Sequence, residues 1–166
     1  MQQLDCYHAY FGGILGNYYL ILLFPEVWSY ELFEMSLHNL NQYSTDFEGY
    51  HGRKTYSFAC EGGYYTVRLA VAEALLRMHK QATCIILRFV TSEYTAPLGV
   101  WVTREASRKA LREKPVVFNT KIELLAFAQQ LIKKKFQFDV TLLLQESVLL
   151  KSLSQQKKLF EYRKTY

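Results

Sequence analysis

The sequence predicts a single α/β domain, a sandwich in which helices flank a mostly parallel central sheet, followed by a C-terminal tail. Residues 17–24 and 83–90 are short apolar runs that contain β-branched or aromatic side chains, a pattern typical of strands buried on both faces. Residues 64–79 lie between them and repeat apolar side chains every three or four positions, which predicts a core-facing helix. Because strands and helices alternate, we expect the sheet to be largely parallel.

The other elements follow from the same local rules. Thr120 and Glu123 form a capping box, which predicts where a helix begins. Glu73 and Arg77 are four residues apart on the outer face of the 64–79 helix, a spacing that favours an ion pair. The remaining predictions are a helix over 26–37, a polar loop over 39–52, a basic helix over 101–113, a short strand over 115–118, and helices over 120–135 and 140–153.

Composition favours one cytoplasmic domain without a structural metal. The 166 residues suit a single domain over 1–153 with a tail over 154–166. Cys6, Cys60 and Cys84 are far apart and form no CxxC pair, which is typical of a reducing compartment. The N-terminus lacks the pattern of a signal peptide, and the longest apolar run, 18–25, is shorter than the roughly 20 residues that span a bilayer. We therefore expect no membrane association.

The chain is rich in aromatic residues and modestly basic. It has 13 Tyr and 11 Phe, and its net charge is +5. Rigid aromatic side chains beyond the needs of a small core often lie at a surface groove or contact, although a Tyr-rich core rim is an equal alternative. The charge permits binding to nucleic acid or to an acidic partner without requiring either.

A basic helix is the first candidate for a nucleic-acid contact. Arg104, Arg108 and Arg112 recur every four residues, which places their guanidinium groups in one ridge about 6 Å apart, with Lys109 beside it. Guanidinium groups at this spacing can bind successive phosphate oxygens of a nucleic-acid strand. The alternative is a solvated helix face whose charge the neighbouring acids partly neutralise.

A glycine pair before a helix is the second candidate site, in this case for binding an anion. Arg53 and Lys54 precede Gly62 and Gly63, which stand just before the 64–79 helix. A glycine turn at a helix N-terminus can direct backbone amides toward an anion such as phosphate. A bare Gly-Gly is also typical of a plain tight turn, and neither GxGxxG nor the P-loop pattern is present.

No catalytic motif or cofactor is predicted, and the sequence names no reaction. HExxH and GxSxG are both absent. Four acids stand in predicted loops and could hold a divalent metal if the fold brings them together, although scattered surface acids are the more ordinary explanation. They are Asp46, Glu48, Glu61 and Glu93.

The tail differs in composition from the domain. Gln156, Leu159 and Tyr162 are spaced by three, so one 3₁₀ turn would align them on one side. The pattern resembles the Qxx-aliphatic-xx-aromatic-aromatic peptide by which proteins dock on the replication sliding clamp. Arg163 stands in place of the second aromatic residue, which predicts a weaker or modified contact. A helix end that packs on its own domain is the alternative.

Four stretches, in order along most of the chain, together resemble the C-terminal part of the archaeal Nre family of DNA-repair proteins. They are LGNYYLILLFPEVWSYELFE (15–34), GGYYTVRLAVAEAL (62–75), EYTAPLGVWVTREASRKAL (93–111) and DVTLLLQESVLLKSLSQQKKLFEY (139–162). The resemblance implies a DNA-repair factor, with nucleic acid as a partner, that docks on the sliding clamp, PCNA, through Gln156, Leu159 and Tyr162. Family members extend further at the N-terminus, so the resemblance implies either a truncated relative or a split protein whose N-terminal region a separate chain supplies.

Two other functions stay open at this point. One is a metal-dependent enzyme that acts on nucleic acid or nucleotides, in which acids near Glu61 and Glu93 bind the metal. The other is a non-catalytic subunit of a larger complex, with Trp28, Tyr30 and Trp101 at the interface.

Overall fold

The structure is a computed structural model that describes residues 1–38, 42–60 and 62–155. The strands are β1 (Gln2–Gln3), β2 (Tyr7–Ile14), β3 (Asn17–Phe24), β4 (Ser29–Ser36), β5 (Tyr43–Glu48), β6 (Lys80–Gln81), β7 (Thr83–Val90) and β8 (Val116–Phe118). The helices are α1 (Gly63–Arg77), α2 (Gly99–Arg112), α3 (Lys121–Phe136), α4 (Thr141–Glu146) and α5 (Val148–Gln155).

The described residues form three layers. The central layer is a six-stranded sheet with strand order β5-β4-β7-β3-β2-β8, and β1 pairs with β6 in a separate two-stranded ribbon. Helices α1 and α2 cover one face, where Ile21, Leu32 and Ile86 of the sheet belong to one apolar core. Helices α3, α4 and α5 cover the other face, which has its own core. Strands β3 and β7 lie at the centre between both cores, which confirms the strands predicted over 17–24 and 83–90.

The predicted α/β class is confirmed, but the prediction of a mostly parallel sheet is wrong. Within the described sheet β4 pairs with β7 in parallel, whereas the other four neighbouring pairs are antiparallel. For one of these four pairs, β2–β3, the cause is local, because a tight turn joins the two strands. Leu15 and Gly16 both have positive φ, 49° and 73°, which suits the two-residue turn that reverses a strand.

The helix predicted over 26–37 is also wrong, because those residues contain strand β4. Tyr30 and Leu32 pack into the α1/α2 core, whereas Phe33 and Met35 pack into the opposite core. A strand buried on both faces has apolar residues on both sides, so its pattern can be mistaken for helical spacing. Strand β2, and β5 within the predicted loop over 39–52, were likewise not predicted.

The other helices begin close to where the sequence predicts. The capping box at Thr120 is present, and the Thr120 side chain accepts a hydrogen bond from the Glu123 backbone amide. The helix predicted over 140–153 is divided at Ser147 into α4 and α5. Helix α5 continues to Gln155, two residues beyond the domain boundary predicted at 153, and residues 156–166 lie outside the described part. In the part of the chain that the structure describes, we found no helix with the length and apolar character that a membrane crossing requires.

Candidate nucleic-acid interface

Helix α2 carries the predicted arginine ridge on its outer side. Val102, Ala106 and Ala110 are buried beneath the helix, which leaves the ridge positions to face solvent and helix α1. Arg104 is close to Glu105, with 3.1 Å between Nε and the Glu105 carboxylate. The three arginines therefore lie on one helix face as predicted, but neighbouring carboxylates neutralise them to different extents.

Arg108 is held by two carboxylates. Its Nε and Nη2 donate to the two carboxylate oxygens of Glu73 on α1, at 3.0 and 2.7 Å, and its Nη1 donates to Glu105 at 3.0 Å. The hydrogen bond from Arg108 lowers the pKa of Glu73 below its usual value. Glu73 thus pairs with Arg108 across the helix interface, whereas the pair predicted from spacing, with Arg77, does not form. Arg108 joins α1 to α2 and contributes little free charge.

A groove between α1 and α2 is lined by two further arginines, Arg77 and Arg112. It has a volume of about 430 Å³ and is lined by Glu73, Leu76, Arg77, Arg108 and Arg112. We call it the α1/α2 groove. Lys109 is exposed on α2, three residues before Arg112, and does not itself line the groove. Within the described ranges, Arg77, Lys109 and Arg112 form no ion pair. Sequence spacing did not find Arg77, because it lies on the other helix.

The candidate anion site at Gly62 and Gly63 already faces a carboxylate of the protein. A Cβ atom at Gly63 would collide with the carboxylate of Glu34, so that group lies directly against the first residue of α1. Arg88 donates to Glu34 at 2.7 Å and to the Asn17 side chain at 3.1 Å. An external anion at this helix terminus would have to displace Glu34.

The other two anion candidates, Arg53 and Lys54, have different surroundings. The guanidinium of Arg53 forms an ion pair with Asp46 and donates to the carbonyl oxygens of Phe47 and Thr55. Arg53 therefore orders its own loop. Lys54 is exposed and lines a separate groove with Arg53.

The described loop acids do not gather into a metal site. Asp46 is paired with Arg53, Tyr18 donates to Glu93 at 2.9 Å, and the buried Glu48 accepts from the Trp28 indole at 2.9 Å. Among the described residues, no group of three or more His, Cys, Asp and Glu side chains is arranged to hold a metal ion. Glu61, the fourth predicted acid, lies outside the described residues.

The predicted interface aromatics separate into different environments. Tyr30 is fully buried in the α1/α2 core, so it cannot contact another protein. Trp28 is half-buried and stacks on Tyr30, with ring centroids 6.3 Å apart. Trp101 is exposed on α2. Gln156, Leu159 and Tyr162, the predicted partner-binding residues, lie outside the described residues.

The fold and groove define a three-layer α/β protein with a basic surface groove between two packed helices. The chain belongs to the archaeal Nre family, because the family model described as "Archaeal Nre, C-terminal" matches residues 48–162.

Comparison with curated proteins agrees with this assignment. DNA repair protein NreB of Archaeoglobus fulgidus is 33% identical over 168 residues, which cover 97% of this chain and 41% of the relative. DNA repair protein NreA of the same organism is 34% identical over 126 residues, covering 72% of this chain and 32% of the relative. DNA repair protein NreA of Haloferax volcanii is 33% identical over 118 residues, which cover 66% of this chain and 28% of the relative. The chain thus spans less than half the length of these relatives. No solved structure matches it.

Proposed function

We propose that this chain is a DNA-repair factor that contacts nucleic acid through the α1/α2 groove and docks on the sliding clamp, PCNA, through its C-terminal tail. The observation that carries the repair role is the similarity to relatives named DNA repair proteins, one of them along 97% of this chain. The groove supports the contact with nucleic acid. The clamp-type spacing of Gln156, Leu159 and Tyr162, which falls inside the family match, supports docking.

The cations that line the α1/α2 groove, and Lys109 on the exposed face of α2, differ in their expected roles. Arg77, Lys109 and Arg112 have no ion pair among the described residues, so they are the cations that neutralise phosphates. Arg108 is held by Glu73 and fixes the distance between the two helices. Phosphate contacts of this kind position a protein on DNA without reading the base sequence.

Salt dependence of DNA binding tests this contact. Each neutralised phosphate contributes about −0.9 to the slope of log K against log salt for a duplex, so the three cations together contribute about −2.7. A variant with Arg77, Lys109 and Arg112 changed to Ala should lose that part of the slope. At about 50 mM salt the variant should also bind duplex DNA much more weakly than the wild type. Because the wild-type affinity falls faster with salt, the ratio of wild-type to variant affinity should be about 40-fold smaller at 200 mM salt.

A matched charge control is available on the opposite face of the sheet. Lys133, Lys134 and Lys135 end helix α3, which packs on the other core. Their replacement by Ala removes the same number of charges away from the groove. If both triple variants change the slope equally, binding follows net charge alone and the groove is not the contact.

Clamp docking is tested with the tail residues. Titration calorimetry with the cognate clamp should detect binding by the full chain, and either Leu159→Ala or truncation after residue 155 should abolish it. Thr165→Ala, outside the spaced residues, is the control and should bind normally. Arg163→Phe restores the second aromatic position and should strengthen binding by about tenfold or more, the effect of burying one such side chain. Binding that survives Leu159→Ala contradicts docking through this motif.

A further inference from the structure

The loop that follows β5 exposes aromatic rings that no core requires. Tyr56 is 58% exposed and Phe58 is 73% exposed, and the first turn of α1 adds the partly exposed Tyr65. Tyr56 contacts Phe58 edge-on at 5.2 Å between centroids and lies 4.9 Å from Tyr65. We call these three rings the aromatic platform. Large apolar side chains clustered at the surface usually mark a binding site.

The loop is fixed in place by polar contacts underneath it. The Ser57 hydroxyl donates to Asp46 at 2.6 Å, and the Ser57 amide donates to the Tyr65 hydroxyl at 2.9 Å. Arg53 pairs with the same aspartate and donates to carbonyl oxygens on both sides of the loop. Although burial alone would raise it, the pKa of Asp46 is lowered by the hydrogen bonds from Arg53 and Ser57. The rings are therefore positioned before any ligand arrives, which reduces the entropy cost of binding.

Cations surround the platform. A groove of about 390 Å³ is lined by Glu48, Arg53, Lys54, Thr55, Tyr56, Tyr65 and Arg68, a size typical of small-ligand sites. Lys54 is exposed and, within the described ranges, has no ion pair. Arg68 is partly exposed and lies over the Trp28 ring while it pairs with Glu48. Since Arg53 pairs with Asp46 and Arg68 with Glu48, Lys54 is the lining cation whose charge no described carboxylate balances. An unbalanced cation next to exposed rings fits a ligand that is both planar and anionic.

We propose that the aromatic platform binds unpaired bases of single-stranded nucleic acid, with Lys54 neutralising an adjoining phosphate. Bases stack on exposed aromatic rings with little regard to sequence, and cations beside the rings follow the backbone. An apolar protein surface would use the rings but leave this charge unmatched, so the charge favours nucleic acid.

The platform is separate from the α1/α2 groove. Tyr65 lies in the first turn of α1 and Arg77 in its last, about 18 Å apart at 1.5 Å per residue. A strand that leaves a duplex held in the groove could thus reach the platform over a few nucleotides. The inference rests on the proposed function for its class of ligand, but it uses different residues.

The test compares strands that differ in their bases and not in their charge. Fluorescence anisotropy is measured with oligothymidylate of about 15 nucleotides, a length within the usual site size, and with an abasic strand of equal length. The wild-type chain should prefer oligothymidylate, and a Tyr56→Ala/Phe58→Ala variant should lose about tenfold or more of affinity for it while its affinity for the abasic strand stays unchanged. Tyr56→Phe keeps the ring and should keep the preference.

Ile122→Ala is the matched control, since Ile122 is an exposed apolar residue on α3, across the sheet from the platform. Equal wild-type affinity for the two strands, or an unchanged preference in the double Ala variant, overturns the inference. That result leaves the proposed function intact if the Arg77, Lys109 and Arg112 variant still loses its salt slope on duplex DNA. Failure of the groove variant alone would instead count against the proposed function.

Discussion

The buried carboxylate of Glu31 connects the central sheet to the start of α5, the helix that leads to the C-terminal tail. The Ser147 hydroxyl and the backbone amides of Val148 and Leu149 all donate to it, the amides at 2.9 and 3.2 Å. Glu31 is only 1% exposed. A strand residue thus satisfies amides that the first turn of a helix leaves without intrahelical partners.

Glu31→Ala removes this acceptor and should lower the free energy of unfolding by about 3 kcal/mol. A buried donor left without an acceptor costs about 1–3 kcal/mol, and loss of a helix cap costs about 0.5–2 kcal/mol. Relief from burying the carboxylate offsets part of that sum. For a chain of this size, 1 kcal/mol corresponds to about 2–4 °C in Tm, so we expect a decrease of about 6–12 °C.

Thermal unfolding followed by circular dichroism measures the effect. Asp5→Ala is the control, because the Asp5 side chain is 86% exposed and its pair with Lys80 should contribute little. Burial raises the pKa of Glu31 above its ordinary 4.5 more than the three hydrogen bonds lower it. Its contribution to stability is therefore fully present below pH 4.5 and decreases as the pH rises through the raised value, so the difference between wild type and variant should narrow toward neutral pH. A decrease in Tm no larger than that of Asp5→Ala would show that Glu31 does not anchor the start of α5.

Three further predictions concern the groove, the loop and the α1 terminus. Glu73→Gln removes one of the two carboxylates that hold Arg108 and leaves the other, Glu105. Duplex DNA should therefore bind more tightly, with a salt slope steeper by up to about 0.9, and an unchanged slope in the same titration contradicts this. Asp46→Asn should speed amide hydrogen exchange in the platform loop at neutral pH. Because the pKa of Asp46 is lowered, the difference in exchange rate between wild type and variant should disappear as the pH falls below 3.8 and through that lowered value. Equal exchange rates at neutral pH would show that Asp46 does not order the loop. Gly63→Ala forces a methyl group against the Glu34 carboxylate and should destabilise the fold by about 1–3 kcal/mol in urea unfolding, whereas wild-type stability would mean that Glu34 moves freely.

Elements with local determinants could be predicted from the sequence. Strands β3 and β7 are continuous apolar runs, and α3 begins at a capping box that needs only Thr120 and Glu123. Strand β4 could not be recognised in the same way. Its inward-facing acids, Glu31 and Glu34, find partners more than 50 residues away in the chain, so their burial leaves no local pattern. The hairpin that joins β2 and β3 was not predicted either, and it accounts for one of the four antiparallel pairs in the described sheet.

The part of the candidate site that lies on a single helix, α2, could be predicted from the sequence. Spacing placed Arg104, Arg108 and Arg112 on one face of α2, which the structure has. That Arg108 is held by Glu73, and that Arg77 lines the same groove, depends on how α1 packs against α2. The excess of aromatic residues was visible in the composition, but only the folded loop brings its rings beside cations.

The proposed function requires that this chain binds DNA and the sliding clamp at the same time, through two separate surfaces. Its most direct test is the affinity of the full chain for clamp loaded on circular duplex DNA, compared with its affinity for the clamp alone and for the DNA alone. If both surfaces bind at once, the affinity for the loaded clamp should be at least about 100-fold higher than the affinity for the clamp alone or for the DNA alone. The reason is that the second binding event becomes intramolecular once the first has occurred. An affinity for the loaded clamp no greater than that for either component would contradict simultaneous binding through two surfaces.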